Sequence, residues 1–348
     1  MPLLLLALPA ALLACELLLR WLDLPAFTRT VPGWEWQTLD PVLGWRNKPG
    51  YARPDFRLAG LGLRGEGAGP KKAGTLRILC MGDSGTFGVW LETPPFQLRF
   101  DNYPEELAAL LRAAGHEGAE VLNAGVLGHT SSHGLRHLLS ELLELRPDVL
   151  VVRFGFNDHN VAWDASRRAE EPRSKALRGL FYLVCRWRLT RLFLWLYHAL
   201  APCPPPMTVR WVPLERFEAN LRRFAEVARE RGIRLFFMDY PLRPIERGES
   251  PGLPPPYPLL GVANLAELHR IHGEYQDALR RVAQEAGVPL VETRPVLDKF
   301  PQSFFSDFDL IHPNRRGARA LALALQQALK REGLLPHAAG EAIVARSA

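Results

Sequence analysis

The chain has 348 residues, 47% of them hydrophobic and 23% charged, which is enough apolar material for one large domain or two modest ones and excludes disorder as the default state. Its formal net charge of +6 is carried mostly by scattered arginines, with no Lys/Arg run of the kind that marks a nucleic-acid tail. No nucleic-acid partner is therefore expected, and only a weak attraction to anionic lipid or acidic polysaccharide follows from the charge.

Residues 3–19 are almost wholly apolar, broken by Glu16 and followed by Arg20, Trp21 and Asp23. About 20 apolar residues are needed to span a bilayer, so the run is just short of that length. It reads as a membrane anchor over residues 1–24, with the rest of the chain outside the cytoplasm. The alternatives are a cleaved signal peptide, although its basic n-region is absent, a lipoprotein signal ending at Cys15, and a buried amphipathic helix. Residues 25–75 are rich in Pro, Gly, Trp and Arg, as in Asp40-Pro-Val-Leu-Gly-Trp45 and Gly62-Leu-Arg-Gly65. They predict an irregular lead-in lying on a domain, because tryptophans without helical period need a surface to pack on.

From residue 76 apolar strands alternate with amphipathic helices. Strands are predicted at Arg77–Met81, Glu120–Asn123, Pro147–Phe154, Ile233–Tyr240 and Pro289–Val291. Helices are predicted at Pro104–Ala114, Ser131–Leu145, Leu214–Arg231, Ala263–Ala286 and Arg315–Glu332. Five strands so separated argue for an α/β fold with a parallel sheet covered on both faces, spanning 76–332 and leaving 333–348 as a tail. Right-handed crossovers then gather the carboxyl ends of all strands on one edge, where ligands bind in such sheets. The segment 160–212 interrupts the rhythm as an insert. Its Leu177–Leu200 stretch mixes leucines and aromatics with Arg186, Arg188 and Arg191, and reads as a lid or membrane-facing helix, or else as a core helix.

Four motifs lie at strand ends or before the last helix. Gly82-Asp83-Ser84 follows the first strand, where a turn can present the serine hydroxyl beside free backbone N–H groups; an ordinary helix cap is the plainer reading. Two other serine motifs fail, because Thr86 occupies the last position of G-x-S-x-G and the serine comes early in an α/β chain. Asn123-Ala-Gly125-Val-Leu-Gly128 ends the second strand and lets the backbone approach a ligand closely. Gly155-Phe-Asn157-Asp158 ends the third, where an asparagine amide can donate to a developing oxyanion or simply make an Asx-turn. Asp309-Leu-Ile-His312-Pro313 precedes the last helix, and an Asp three residues before a His can fix its tautomer within one turn.

In this order the set resembles the SGNH (GDSL-type) hydrolase family over residues 76–332. The resemblance implies a flavodoxin-like three-layer sandwich around a five-stranded parallel sheet. It also implies a serine esterase acting through an acyl-enzyme on an O-acyl ester of a carbohydrate or lipid. Ser84 would be the nucleophile and Asp309 and His312 its partners, with Ser84, Gly128 and Asn157 forming the oxyanion hole. No metal or organic cofactor is required. The lead-in motifs look like those of membrane-tethered bacterial members. An O-acyltransferase using the same residues, or an idle partner in an envelope complex, are the alternatives.

Of the four cysteines, none forms a CxxC pair, so a zinc knuckle or thioredoxin-like site is not expected. Cys80 reads as a buried thiol, and Cys185 and Cys203 could pair only in an oxidising compartment. His129, His133 and His137 recur every four residues and could share a metal, though no carboxylate or cysteine partner is evident. Asp307 is a second carboxylate that could compete with Asp309 for the histidine.

Overall fold

The structure, a computed structural model, describes residues 2–22, 35–40, 42–92, 97–160, 187–190, 192–193, 210–244, 262, 264–298, 304–305 and 309–335. Asp307, Cys185, Cys203, most of the insert 160–212 with its Leu177–Leu200 stretch, and nearly all of the tail 333–348 lie outside them. The chain divides into two compact units: residues 1–48 with 162–207, and residues 49–161 with 208–348.

In the first unit, helix α1 (Pro2–Leu22) is followed by a hairpin of β1 (Gln37–Asp40) and β2 (Gly44–Asn47). The Asp40 carboxylate accepts the N–H groups of Val42 and Leu43, each at 2.8 Å, closing the turn. The sequence reading missed this hairpin because four-residue strands give too little alternation to register. Glu16, the charge that breaks the apolar run, is buried. It accepts Arg20 Nε at 2.7 Å and the Leu189 N–H at 2.9 Å, at the start of a helical turn over 188–190. Arg188 in turn donates to the carbonyls of Leu19 and Arg20 at 2.8 and 3.0 Å. Each segment thus satisfies the orphan backbone groups at the other's helix end. Among the described residues no helix is long and apolar enough to cross a membrane, so the expected spanning anchor finds no support there.

The second unit carries β3 (Leu76–Gly82), α2 (Ser84–Phe87), β4 (Trp90–Glu92), β5 (Gln97–Arg99), α3 (Tyr103–Ala113), β6 (Ala119–Gly125), α4 (Ser131–Ser140), β7 (Val149–Arg153), α5 (Leu214–Glu230), β8 (Arg234–Met238), α6 (Leu265–Ala286), β9 (Leu290–Val291), α7 (Arg294–Leu297) and α8 (Arg315–Arg331). Its main sheet has the order β6-β3-β7-β8-β9, with all neighbours parallel. This is the flavodoxin-like arrangement, in which strand order reverses beside the first strand and opens a crevice at the carboxyl edge.

The strands are apolar on both faces, as a sheet covered on both sides requires. Leu79, Met81, Leu150, Val152, Leu235 and Phe237 face one core, against Leu138 of α4, Phe217 and Phe224 of α5 and Leu268 of α6. The alternate residues Ile78, Cys80, Val149, Val151, Phe236 and Met238 face the other, against Leu107 of α3 and Leu321 and Leu325 of α8. Asparagine caps start α3, α6 and α8: Asn102 accepts Glu105 N, Asn264 accepts Glu267 N, and Asn314 accepts Arg316 N and Gly317 N.

Two details differ from expectation. The helix expected over 131–145 ends at Ser140. Glu141 leaves helical geometry, Leu142–Leu145 forms a 3-10 turn, and Arg146 takes φ +51° ahead of Pro147, which disfavours helical backbone before it. The β4–β5 hairpin was not foreseen either, since each of its strands is only three residues long.

Residues 49–75 do not form an isolated tail. Leu58 and Arg64 make a β-bridge, and Arg64 also bridges to Asn123 at the end of β6. The strap therefore touches the edge strand β6 near its carboxyl end.

Candidate active site

Strand β3 delivers Gly82, Asp83 and Ser84 to the carboxyl edge. The turn is tight: a Cβ at Gly82 would sit 2.1 Å from Thr86 Oγ1, and one at Gly125 only 2.2 Å from Phe87 N. Glycine at these two positions lets α2 lie directly against the ends of β3 and β6. Ser84 opens this single helical turn and is half-buried, while its neighbours are buried.

The loop before α8 brings the histidine to the serine. His312 Nε2 lies 2.7 Å from Ser84 Oγ, and His312 Nδ1 lies 3.0 Å from both carboxylate oxygens of Asp309. An ionised carboxylate only accepts, so Nδ1 carries the proton and Nε2 presents its lone pair to the serine O–H. Asp309 is itself held by the N–H groups of Ile311 and His312 at 3.1 and 3.0 Å, and by Leu91 N–H from β4 at 3.1 Å. Burial pushes the Asp309 carboxyl up, but His312 and the N–H groups of His312 and Ile311 outweigh it and hold it below the usual range. Burial likewise opposes charge on His312, yet the adjacent Asp309, with Asp83 behind it, holds the imidazole above its usual range. The arrangement can take a proton from Ser84 and stabilise the imidazolium that results.

Asn157, after β7, sits behind the serine. Its amide donates to Asp83 Oδ2 at 3.2 Å and to the His129 carbonyl at 3.0 Å, while its Oδ1 accepts from Asn160. Gly128 immediately precedes His129 and takes φ +81°, a conformation that favours glycine. Ser84, Asp309 and His312 are thus joined directly, and Asn157 joins them through Asp83.

Asp83, offered by the sequence as a helix cap, does cap α2 and is also the hub of the site. It is fully buried and accepts Gly85 N–H at 2.9 Å, the Tyr240 hydroxyl at 3.0 Å and the Asn157 amide. Burial pushes its carboxyl up, against the opposing pull of Arg153 and the Gly85 N–H. Arg153 ends β7, fully buried, with its guanidinium 3.9 Å from the Tyr240 ring centre. Neither of its Nη atoms finds a hydrogen-bond partner among the described residues. A Cβ on Gly85 would lie 2.4 Å from Arg153 Nη1 and 2.5 Å from the Tyr240 hydroxyl. The available signal was an arginine inside an otherwise apolar strand, a pattern that burial allows only when the charge has a use.

Among the described residues no group of three or more His, Cys, Asp or Glu is placed to hold a metal ion. His129 and His133 stack with ring centres 4.8 Å apart, and His133 Nδ1 lies 2.8 Å from Thr130 Oγ1 at the start of α4. The metal reading of these histidines is therefore not supported. Cys80 is buried in β3, and desolvation pushes its thiol up to about 12, so it is inert as a nucleophile.

Residues 80–320 match the model of the GDSL-like Lipase/Acylhydrolase family. The chain belongs to this family. As a GDSL-like acylhydrolase it is an ester-hydrolysing enzyme, and the matched residues span every strand-end motif described above. No curated protein matches the chain. Similar solved structures include an alpha/beta hydrolase enzyme from the metagenome of Lake Arreo, Spain, with 20% identity and a TM-score of 0.47, covering 74% of this chain and 95% of that one. An acetylxylan esterase from Geobacillus stearothermophilus has 18% identity and a TM-score of 0.46, covering 74% and 95%. A lipase/acylhydrolase from Enterococcus faecalis has 17% identity and a TM-score of 0.45, covering 74% and 96%.

Proposed function

We propose that this GDSL-like acylhydrolase cleaves an O-acyl ester of a carbohydrate or lipid through an acyl-enzyme on Ser84. The observation that carries the reading is the continuous chain Ser84–His312–Asp309, closed at 2.7 and 3.0 Å. Ser84 Oγ attacks the ester carbonyl as His312 takes its proton, and Asp309 holds the imidazolium. The backbone N–H groups of Ser84 and Gly128 and the Asn157 amide receive the tetrahedral oxyanion. His312 then protonates the departing alcohol, and a water deprotonated by the same imidazole releases the acid.

Attachment to a membrane through the N-terminal segment, with the hydrolase unit outside the cytoplasm, is part of this proposal. Leu12, Leu13, Leu17, Leu18, Trp21 and Leu22 of α1 are all exposed, a run of apolar side chains that a water-facing helix does not need.

The test is a fluorophosphonate probe with short and long p-nitrophenyl esters and acetylated glycans. Parent enzyme is expected to label on one serine and to release free acid, and Ser84→Ala to lose both while folding normally. Labelling that survives Ser84→Ala removes the proposal. Acyl groups recovered on an added sugar, with no free acid, replace hydrolysis by transfer.

A further inference from the structure

The nucleophile turn cannot hold itself. Helix α2 has four residues, so its carbonyls have almost no partners within it, and a buried carbonyl without a donor is costly. The donors come from outside. Asn123 Nδ2 takes the Thr86 carbonyl at 2.9 Å. Arg64, from the strap, takes the next two: its Nη1 donates to the Phe87 carbonyl and, at 2.9 Å, to that of Gly88, while Nη2 donates to the Phe100 carbonyl at 2.7 Å.

The Arg64 side chain is almost wholly buried, and every contact fixes its direction. Its guanidinium lies 5.5 Å from the Phe56 ring centre and 5.1 Å from that of Phe87, with the Glu105 carboxylate 3.4 Å from Nε. Its own N–H pairs with the Asn123 carbonyl at 2.9 Å, so the backbone is anchored on β6 while the side chain is anchored on the carbonyls of Phe87, Gly88 and Phe100. A planar fork with five donors satisfies several carbonyls at once, which an ammonium cannot do in the same geometry.

From Gly88 the chain runs straight into β4, whose Leu91 N–H braces Asp309. Gly88 takes φ +83°, and the N–H groups of Gly88 and Val89 both return to the Ser84 carbonyl. Fixing the carbonyls of Phe87 and Gly88 therefore fixes Ser84 on one side and the brace on Asp309 on the other.

We propose that Arg64 is a positioning residue for the reaction: its guanidinium closes the carboxyl end of the nucleophile turn and thereby sets Ser84 against His312 and Asp309. It touches neither substrate nor reacting atoms. It also lies upstream of the matched residues 80–320, so part of what aligns the site sits outside the family's common core. The proposal rests on Ser84 being the nucleophile.

The test uses full-length enzyme carrying Arg64→Lys, which keeps the charge and loses the fork, and Arg64→Gln, a shorter neutral donor. Fluorophosphonate titration counts competent sites, and labelling rate, kcat and KM are then expressed per titrated site. Partial unfolding lowers the count of sites but not the rate at each. A displacement of about 1 Å in a reacting group costs roughly 10²-fold. Both variants are expected to lose about 10- to 100-fold in labelling rate and kcat per site, with KM within about threefold of the parent. A per-site rate within about threefold of the parent, in whichever variant folds, overturns the role of Arg64 and leaves Ser84 untouched. A parent enzyme that is not labelled at Ser84 overturns both readings.

Discussion

Both amide hydrogens of Asn157 are already committed, one to Asp83 and one to the His129 carbonyl. On the proposed mechanism an oxyanion arriving at the serine would share one of them, so the donor is held in place at the cost of partial competition. Asn157→Ala is expected to lower kcat by about 10²–10³-fold with little change in KM, the usual loss for one oxyanion donor. Steady-state kinetics check this, and a variant within about threefold of the parent makes Asn157 a turn residue. The histidine gives a pH signature. Asp309 and Asp83 raise His312 above its usual range, and the protonated ring cannot accept the serine proton. Activity should thus fall on the acid side through a limb lying above about pH 6.5, the unperturbed histidine value. Asp309→Asn removes the charge that raises it, so the limb of the residual activity should move to lower pH in a kcat/KM profile. Ser84, Asn157, Asp309 and His312 were legible in the sequence because each stands at the end of a recognisable strand or before a recognisable helix. Arg153, Tyr240 and the part of Asp83 beyond its helix cap were not, because those roles exist only where β3, β7 and β8 lie side by side.

At the scale of elements, a pair of buried histidines ties the loop after β7 to α6. His159 Nε2 lies 3.0 Å from His272 Nδ1, and His272 Nε2 donates to the Tyr240 carbonyl. A carbonyl only accepts, so His272 carries its proton on Nε2, and His159 must donate from its own Nε2. Neither ring can gain a second proton without breaking this chain or burying a charge. Burial accordingly pushes His272 down to about 4 and His159 well below its usual range. For these groups the unfolded chain binds more protons than the folded one, so stability falls as pH drops from about 6.5 towards 4. His272 alone would account for on the order of 3 kcal/mol over that window. His272→Gln should flatten the fall in urea midpoint between pH 7 and pH 5, and an unchanged slope would show that other groups carry it. The long helices and the strands β3, β7 and β8 were readable because their apolar pattern persists for five residues or more, and the short β9 because it follows a long amphipathic helix in the same alternation. The two hairpins and the break at Ser140 escaped because a three-residue strand, or one residue leaving helical geometry, changes too little of that period.

For the molecule as a whole, the two compact units carry separate expectations. Deleting residues 2–24 should release the enzyme from the membrane fraction and leave fluorophosphonate labelling intact, since every site contact described lies in residues 49–161 and 208–348. Full-length chain recovered wholly in the soluble cytosolic fraction would remove the membrane proposal. The reciprocal caps between Glu16 and the 188–190 turn were invisible in the sequence, where a glutamate in a leucine run reads as an interruption rather than as a partner for a backbone N–H far downstream.

The separation of the site's parts along the chain has a consequence for synthesis. Arg64 and Gly88 are 24 residues apart and Thr86 and Asn123 are 37 apart, so the nucleophile turn can be assembled early on a growing chain. His312 follows Ser84 by 228 residues. At about 5–20 residues per second the base arrives roughly 10–50 s after the hydroxyl it serves. For that interval Ser84 lacks the His312 ring that would take its proton, so on the proposed mechanism the nascent chain is expected to be silent towards esters. Chains arrested before residue 309 should therefore resist fluorophosphonate while released full-length chains react, so synthesis of the Asp309–His312 loop would act as the enzyme's own start signal.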